Sequence, residues 1–418
     1  MKTKTAALAM ALVSLPSLVL AADLNLLHNW HTASASKALD TLIHKSQGQD
    51  LKINGRVVAK PEHDSLTAMR NLAVSMNGQP TMVSLSLQEL QRWDDLQLLQ
   101  HLERDAATDS WMAKLPEFVR SQIIYHDQII AAPIAIHMAN WLYVNKPLLD
   151  ETGLEVGSSW DDFTALLNAL ADRNITPILH DGSVMQDMVL FESVLLATAG
   201  SETYLKSFQH LNSQALREAE PDVLKTFKRL EQMKPYISRL PAGTSEQEVA
   251  ARLLSNEAAM VIQGDWFRGE FALSGKIANQ NYYCLPIPGE YQPGAYSIDL
   301  VAALKASDDT LSASQKKYLD VQMTQDVQYL FNNYDGGLPA MTGVGLEGVN
   351  ECVAYAAQRL NNAHSSQTLV PSLSQGVLVR DTVYNAVEKV VSQFMTGSLS
   401  PEKAAVALRK GIKRAGLF

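Results

Sequence analysis

This sequence predicts an α/β protein of two lobes with a ligand cleft between them. Apolar strands alternate with amphipathic helices along most of the chain, which is the pattern of sheets covered by helices. The chain has 418 residues, too many for a single ordinary core. A connection rich in Pro and Gly at 285–294 divides the pattern, so we expect a hinge between the two lobes.

The elements at the start of the chain predict a doubly wound lobe. In chain order they are a strand at 24–28, a helix at 34–46, a strand at 51–58, a helix at 64–76 and a strand at 81–85. Residues 122–130 then predict a hairpin, and Pro133 is expected to end it. A strand at 140–144 is predicted to begin a new unit.

The second unit repeats the alternation of helices and strands. Its predicted elements are a helix at 160–172 capped by Ser158 or Ser159, a strand at 176–179, a helix at 186–199 and a strand at 258–262. A tight turn through Gly264 follows and opens a helix with Trp266 in its first turn. Because ligands of α/β proteins bind at strand ends, this turn is a candidate floor for the cleft.

The last part of the chain adds one strand and a long helical region. Residues 297–304 predict a buried strand, and 312–418 predict helices almost throughout, interrupted at 336–339 and at Gly397.

The N-terminus predicts export from the cytoplasm. Lys2 and Lys4 precede an apolar run at 6–20, and Val19-Leu20-Ala21 supplies small residues at the spacing that a signal peptidase needs. We therefore expect a signal peptide at 1–21 and a soluble periplasmic protein that begins near Ala22. No Cys stands at the cleavage site, so a lipid anchor is not expected.

Charge and cysteine content exclude several classes of protein. The formal net charge is -9 without acidic or basic blocks, which argues against a nucleic-acid partner. No CxxC or HExxH motif predicts a metal site, and no cofactor is expected. In an oxidising compartment Cys284 and Cys352 favour a disulfide, while two separate buried thiols are the alternative.

Several segments, in their order and spacing, carry a resemblance to a known family. They are Ala132-Pro133-Ile134-Ala135-Ile136-His137-Met138-Ala139-Asn140-Trp141-Leu142-Tyr143-Val144-Asn145, Trp160-Asp161-Asp162-Phe163, Gln186-Asp187 to Phe191-Glu192-Ser193, Gly264-Asp265-Trp266 and Tyr283-Cys284-Leu285-Pro286. The chain resembles the periplasmic sugar-binding proteins of ABC transporters (extracellular solute-binding protein family 1), most closely the glucose-binding branch.

The resemblance implies a fold and a set of partners. It implies the two-lobe periplasmic binding protein fold, in which each lobe is a mixed sheet flanked by helices. The N-terminal lobe would comprise 22–137 and 296–344, and the C-terminal lobe 138–295 and 345–418. The implied partners are a small-molecule sugar and the membrane permease subunits of an ABC importer, and a monomer is expected.

The resemblance also implies site residues. At other positions the ligand contacts of the family are replaced in this chain. The resemblance places Trp30, Trp266 and Asp299 at the sugar. Four family contacts are replaced: a Glu falls on Ala35, one Lys on Ser86, a second Lys on Asp335, and a His near Ser374 and Gln375. The resemblance therefore does not imply glucose itself.

Sugar chemistry supports the same positions independently. A pyranose has an apolar face that a flat aromatic ring can cover, as Trp30 and Trp266 would, and a rim of hydroxyls that needs donors and acceptors. The candidates for that rim are Asp299, Asp335, Asn29 and His137.

Each position also has a purely structural interpretation. Trp266 and His137 are compatible with core positions, Asp335 with a solvated turn, and Asp299 with a buried carboxylate that has a structural partner.

Three functions are compatible with these residues. The first is a soluble binding protein that captures a mono- or small oligosaccharide by hinge closure and delivers it to an importer. The second is a carrier of the same fold for a cationic ligand such as an amino sugar or a polyamine. The third, a secreted carbohydrate hydrolase, needs two carboxylates about 5 to 10 Å apart, and the sequence shows no nucleophile motif such as GxSxG. We therefore expect no catalytic residues.

Overall fold

The computed structural model describes residues 22–57, 81–85, 87–209, 211–305, 310–346, 350–361 and 368–416. The predicted signal peptide, the predicted helix at 64–76 and Ser86 lie outside these residues. The strands are β1 (Ala22–His28), β2 (Leu51–Val57), β3 (Met82–Leu85), β4 (Leu99–Gln100), β5 (Ile124–Tyr125), β6 (Gln128–Ile129), β7 (Ala132–Met138), β8 (Trp141–Asn145), β9 (Thr176–His180), β10 (Ile237–Arg239), β11 (Ala258–Gln263), β12 (Tyr282–Leu285), β13 (Gly294–Leu304), β14 (Leu338–Pro339) and β15 (Leu369–Pro371).

Helices cover both sheets of the molecule. They are α1 (Ala33–Gln47), α2 (Leu87–Asp95), α3 (Ala106–Met112), α4 (Glu117–Ile123), α5 (Lys146–Thr152), α6 (Trp160–Ala171), α7 (Val184–Phe208), α8 (Ser213–Met233), α9 (Glu246–Leu254), α10 (Trp266–Leu273), α11 (Ala313–Gln322), α12 (Gln325–Asp335), α13 (Glu351–Asn361), α14 (Asp381–Met395) and α15 (Pro401–Gly416). No described helix is both long and apolar enough to cross a bilayer.

The described strands form two mixed sheets and a small hairpin. The first sheet has the order β14-β7-β13-β3-β1-β2, with β4 and β15 also paired to β13. The second has the order β10-β9-β11-β8-β12, and β5 pairs with β6. Parallel neighbours such as β1 and β3, or β9 and β11, bring their carboxyl ends to one edge of each sheet.

Two crossings connect the sheets, and one side chain ties them together. The chain passes from β7 to β8 through Ala139 and Asn140, and it returns from β12 to β13 through 286–293. The Asn140 amide donates to the Pro293 carbonyl at 2.8 Å and accepts from the Ala295 N–H at 2.8 Å. These bonds fix the two crossings side by side, as a hinge requires.

A disulfide joins Cys284 of β12 to Cys352 of α13. It confirms the predicted pairing and fastens the helix that follows 338–346 to the edge of the second sheet. Nearby, Tyr355 of α13 packs edge-on against Trp141 of β8, with ring centroids 5.5 Å apart. The predicted lobe boundaries at 137/138, 295/296 and 344/345 stay a prediction.

The predicted elements agree with most of the described structure, with two corrections. The expectation that Pro133 ends the hairpin was wrong, because Pro133 lies inside β7, opposite Leu300 of β13. The register shifts between Asp299 and Leu300, so the sheet accommodates a residue that has no N–H to donate. The predicted helix at 186–199 is longer and extends to Phe208, with a break at Gly200.

Candidate ligand-binding site

The turn after β11 positions Trp266 at a sheet edge. Gly264 is required here because a Cβ on it would lie 2.1 Å from the Trp266 ring. The neighbouring residues from 258 to 265 are buried, while Trp266 is partly exposed and packs against the cores of both sheets. Trp266 Nε1 has no partner of normal hydrogen-bond geometry within the described structure. The ring is therefore partly accessible at the place where the two cores meet, while its Nε1 is buried.

Asp265 anchors this turn to the end of β7. Its N–H donates to the Met138 carbonyl at 2.9 Å, and its Oδ2 accepts from the Met138 N–H at 2.8 Å. Its Oδ1 lies 2.6 Å from Nδ1 of His137. One carboxylate thus holds the Trp266 turn against the strand that leads into the hinge.

His137 joins three carboxylates. Its Nε2 lies 3.0 Å from Oδ2 of Asp335 and 3.9 Å from Oδ2 of Asp299, while its Nδ1 faces Asp265. Burial lowers the pKa of His137, but the carboxylates of Asp265 and Asp335 outweigh that effect and hold the pKa well above its usual value. These contacts favour an imidazolium whose Nδ1 is hydrogen-bonded to Asp265 and whose Nε2 forms an ion pair with Asp335.

Asp335 is the acidic partner of His137 in this ion pair. Its side chain is buried at the end of α12, and burial raises its pKa although the His137 imidazolium opposes the rise. The structure therefore excludes the interpretation of Asp335 as a solvated turn residue.

Asp299 lies at the irregularity in β13. The register shifts between Asp299 and Leu300, opposite Pro133, and the Asp299 side chain retains 26% exposure. Trp30 Nε1 donates to Asp299 Oδ2 at 3.0 Å. One oxygen is thus held in place, and the exposed remainder of the carboxylate is available to a ligand.

Trp30 is far more enclosed than Trp266. Only 3% of it is exposed; it stacks on His28 at a centroid distance of 5.4 Å and meets Phe331 edge-on at 5.0 Å. Burial lowers the pKa of His28 to about 4, so the stacked imidazole is neutral at pH 7. In this conformation Trp30 holds Asp299 through its hydrogen bond and has almost no ring surface that a ligand could cover.

Helix α10 is fastened to α1 and α12. Arg268 donates to the buried carbonyls of Asn332, Gly336 and Gly337 at 3.1 to 3.4 Å, at and just beyond the end of α12. Glu270 accepts from the Ser34 N–H at 3.0 Å, in the first turn of α1. Trp266 therefore belongs to a helix that is hydrogen-bonded to the first turn of α1 and to the end of α12.

Two further acids at this edge were missed by the sequence analysis. Asp181 follows β9 directly and is buried, and Glu246 begins α9, with a buried Oε2 that lacks a described partner. Burial raises the pKa of Glu246 to about 8, and the carboxylates of Asp181 and Glu270 add to the rise. Trp266 opens α10, which packs against α9, and its indole opposes the rise in the pKa of Glu246. The strand-end rule alone could have identified Asp181.

The remaining predicted site residues lie outside this cluster. Asn29 adjoins Trp30 after β1, and its Oδ1 is 3.4 Å from the Ser84 hydroxyl. Gln375 contacts Met185 at the start of α7, with Nε2 3.8 Å from the sulfur. No described contact joins either of them to Trp266, His137 or Asp335. Ser86 lies outside the described residues.

A metal ion has an unfavourable donor set here. His137, Asp299 and Asp335 present ligand atoms within 4.8 Å of one another. A metal-bound histidine needs a free nitrogen lone pair. Both nitrogens of His137 instead face carboxylates, Nδ1 that of Asp265 and Nε2 that of Asp335, so we interpret the cluster as an imidazolium held by acids.

Asp187 and Glu192 of α7 are candidates for the carboxylate pair of a hydrolase, but both have structural partners. Asp187 pairs with Arg239 at 2.6 Å and with His180 at 3.2 Å. Glu192 accepts from the Leu373 N–H and from the hydroxyls of Ser372 and Ser374. These bonds fix the segment 372–375 to α7, so neither carboxylate is poised for acid–base chemistry.

The chain is similar to known binding proteins over nearly its whole length. Residues 92–322 match the model of a family described as bacterial extracellular solute-binding protein. A probable sugar-binding periplasmic protein of Brucella melitensis is 27% identical over 394 residues, which cover 94% of this chain and 92% of that protein. A protein of the same description from Rhizobium meliloti is 26% identical over 411 residues, 98% of each chain.

A solved structure shows the same architecture. The bacterial solute receptor AcbH, described as having an exclusive preference for β-D-galactopyranose, matches with a TM-score of 0.75. The match has 16% identity and covers 95% of this chain and 99% of that one. The likeness confirms the predicted fold class.

Proposed function

This chain belongs to the bacterial extracellular solute-binding proteins, and we propose that it captures a sugar between its two lobes and delivers it to the permease of an ABC importer. Membership in a family of binding proteins agrees with the prediction that the chain is not an enzyme. We further propose that residues 1–21 are removed on export and that the protein is a monomer without a lipid anchor. Whether it belongs to the glucose-binding branch stays a prediction.

One observation carries the proposal: a partly exposed Trp266 stands beside carboxylates that have unused acceptor capacity. A flat indole covers the apolar face of a pyranose, and Asp299, with 26% of its side chain exposed, accepts hydroxyl groups. The names of the relatives, which describe sugar-binding periplasmic proteins, support a sugar as the ligand.

We assign different roles to the predicted site residues. Trp266 and Asp299 contact the sugar, while Trp30 holds Asp299 through its indole N–H and His137 holds Asp335 and Asp265 by charge. These last two are positioning residues. Asn29, Ser86 and Gln375 remain proposed contacts that a sugar reaches when the lobes close.

Hinge closure supplies the mechanism. A ligand that touches both lobes has more contacts in the closed form than in the open form, so it shifts the population toward closure. The crossings at 138–141 and 286–293, tied by Asn140, are the segments about which the lobes would rotate. A closed, sugar-loaded protein then presents a surface to the permease that the open form lacks.

A thermal-shift screen of sugars on the mature protein tests the proposal. A ligand that binds only the folded state increases the free energy of unfolding, by about 2.7 kcal/mol at a ligand concentration of 100 times Kd. The melting temperature rises as a result. We expect a mono- or disaccharide to raise it, without formation of new reducing ends after prolonged incubation. Steady release of reducing sugar would instead establish a hydrolase, and the absence of any shift would contradict a sugar ligand.

A further inference from the structure

Acidic side chains outnumber basic ones in the described surroundings of Trp266. The acids gathered at this edge, together with those that His137 contacts, are Asp181, Glu246, Asp265, Glu270, Asp299 and Asp335. In the described part of the chain, no Lys or Arg forms an ion pair with any of them. His137 is the cation in direct contact, and it is already shared by three carboxylates.

The basic residues nearest this edge are engaged elsewhere. The hydrogen bonds of Arg268 go to the three backbone carbonyls at the end of α12. Arg239 is paired with Asp187 at 2.6 Å. His180 Nδ1 accepts from the Gly182 N–H at 2.9 Å, so it has no proton to offer Asp181. None of these three groups donates a described hydrogen bond to Asp181, Glu246 or Glu270.

Besides Asp335 Oδ2, which faces His137, two carboxylate oxygens are buried here without a hydrogen-bond partner among the described residues. Glu270 is only 1% exposed; its Oε1 is bound by the Ser34 N–H, whereas its Oε2 has no hydrogen-bond partner among the described residues. Glu246 Oε2 is likewise buried and unpartnered. The helices that carry them, α9 and α10, pack against each other, and Glu270 adds to the rise in the pKa of Glu246. A buried acceptor without a donor is costly, so the site gains from a ligand that brings donors and positive charge.

Resting on the proposed function, we propose that the sugar carries a protonated amine, which binds among Glu246, Glu270 and Asp181 while Trp266 covers the ring of the sugar. An ammonium group offers three N–H donors and one positive charge, which match carboxylate oxygens. Without a ligand Glu246 holds a proton at pH 7, because its pKa is raised to about 8, and the bound ammonium favours the ionised form so that this proton is released. The aromatic face of Trp266 adds attraction for a cation. A neutral hydroxyl brings one donor and no charge, so the same acids favour the amino sugar over its hydroxyl counterpart.

Matched sugar pairs test this inference. Titration calorimetry on the mature protein compares D-glucosamine with D-glucose, D-galactosamine with D-galactose, and D-mannosamine with D-mannose, at pH 7 and low salt. N-acetylglucosamine supplies a neutral amide, and spermidine supplies amines without a ring. We expect the amino form of at least one pair to bind ten-fold or more tightly than its hydroxyl and N-acetyl counterparts, and more tightly than spermidine.

Variants connect the preference to the named acids. Glu246→Gln and Glu270→Gln should each reduce the preference for the amino sugar to three-fold or less while the neutral sugar still binds. The control is Glu248→Gln, an exposed residue of the same helix that pairs with Arg252, and it should keep the full preference. Unchanged preference in both site variants would overturn the assignment of the ammonium to these acids.

The other outcomes separate the two proposals. A neutral sugar that binds as well as or better than its amino partner overturns the inference and leaves the proposed function intact. Tighter binding of spermidine overturns the requirement for a sugar ring. If no sugar of any pair binds, the inference fails, and the proposed function fails with it only when the thermal-shift screen of mono- and disaccharides also shows no ligand. Melting curves of each variant exclude loss of folding as the cause of a lost preference.

Discussion

Trp30 and Trp266 each stand just beyond the end of a strand, yet the structure uses them differently. Trp30 is 3% exposed, stacks on His28 and donates its N–H to Asp299. Trp266 is partly exposed, and its Nε1 lacks a partner of normal geometry. The comparison teaches that residue type and strand-end position do not decide whether an aromatic ring serves the fold or the ligand. Its neighbours decide that.

The largest effect is expected from Trp30→Ala, and it should fall on stability. Removing a buried Trp from a packed core costs about 3 to 5 kcal/mol of unfolding free energy. The variant also frees Asp299 from its indole donor, so sugar affinity should fall as well. Denaturant unfolding measures the first effect. A melting curve equal to that of the wild type would show that Trp30 is not a core residue.

The next effect is expected from Trp266→Ala, and it should fall on binding. Loss of the ring face removes about 2 kcal/mol of contact, which raises the sugar Kd about 30-fold. Because Trp266 is partly exposed already, its unfolding free energy should fall by less than that of Trp30→Ala. Calorimetry and denaturant unfolding on the same preparation give both numbers. Equal losses of stability in the two variants would remove the distinction between the rings.

Glu246→Gln should show a smaller, pH-dependent gain in stability. The pKa of Glu246 is raised above its ordinary value to about 8, so the folded protein holds a proton that the unfolded chain releases. Wild-type stability therefore falls between about pH 4.5 and 8, and the variant escapes that loss. We expect it to exceed the wild type by about 1 to 2 kcal/mol at pH 9 and by little at pH 5, a discounted figure because the side chain is partly exposed.

The control for this pH effect is Glu248→Gln. Glu248 is exposed on the same helix and pairs with Arg252 at 2.8 Å. Its replacement should leave the pH dependence of the melting temperature as it is in the wild type. If Glu246→Gln followed the same curve as this control, burial would not hold the Glu246 proton.

The smallest effect is expected from Trp30→Phe. Phe keeps an aromatic ring against His28 and Phe331 but cannot donate to Asp299. Loss of a hydrogen bond to a carboxylate is worth about 1.5 to 3 kcal/mol where the carboxylate is buried and less where water replaces the donor, as at the partly exposed Asp299. We expect the sugar Kd to rise about five-fold in calorimetry. A 30-fold rise would give Trp30 the role assigned to Trp266.

Local signals in the sequence predicted most of the fold. Apolar runs at 24–28, 176–179 and 258–262 lie within observed strands, and Ser159 caps α6 as one of the two predicted candidates. The exceptions have non-local causes. Pro133 continues a strand because a register shift in β13 accommodates it, and that shift depends on a segment more than 160 residues away.

The site was predictable only in part, for the same reason. Trp266 could be identified because Gly264 and the strand before it are adjacent in sequence, and the resemblance to sugar-binding proteins added Asp299. Glu246 and Glu270 belong to different helices, and only the packing of α9 and α10 brings their carboxylates together. The structural role of His137 likewise depends on Asp265 and Asp335, which no periodicity connects to β7.

Intrinsic fluorescence during sugar titration tests most directly whether Trp266, and not Trp30, is the ring that the ligand covers. The sugar that raises the melting temperature most is added to saturation to the wild type and to the Trp30→Phe and Trp266→Phe variants. We predict that Trp266→Phe loses most of the sugar-induced fluorescence change, whereas Trp30→Phe keeps it. A change that survives in Trp266→Phe and disappears in Trp30→Phe would contradict this account of the site.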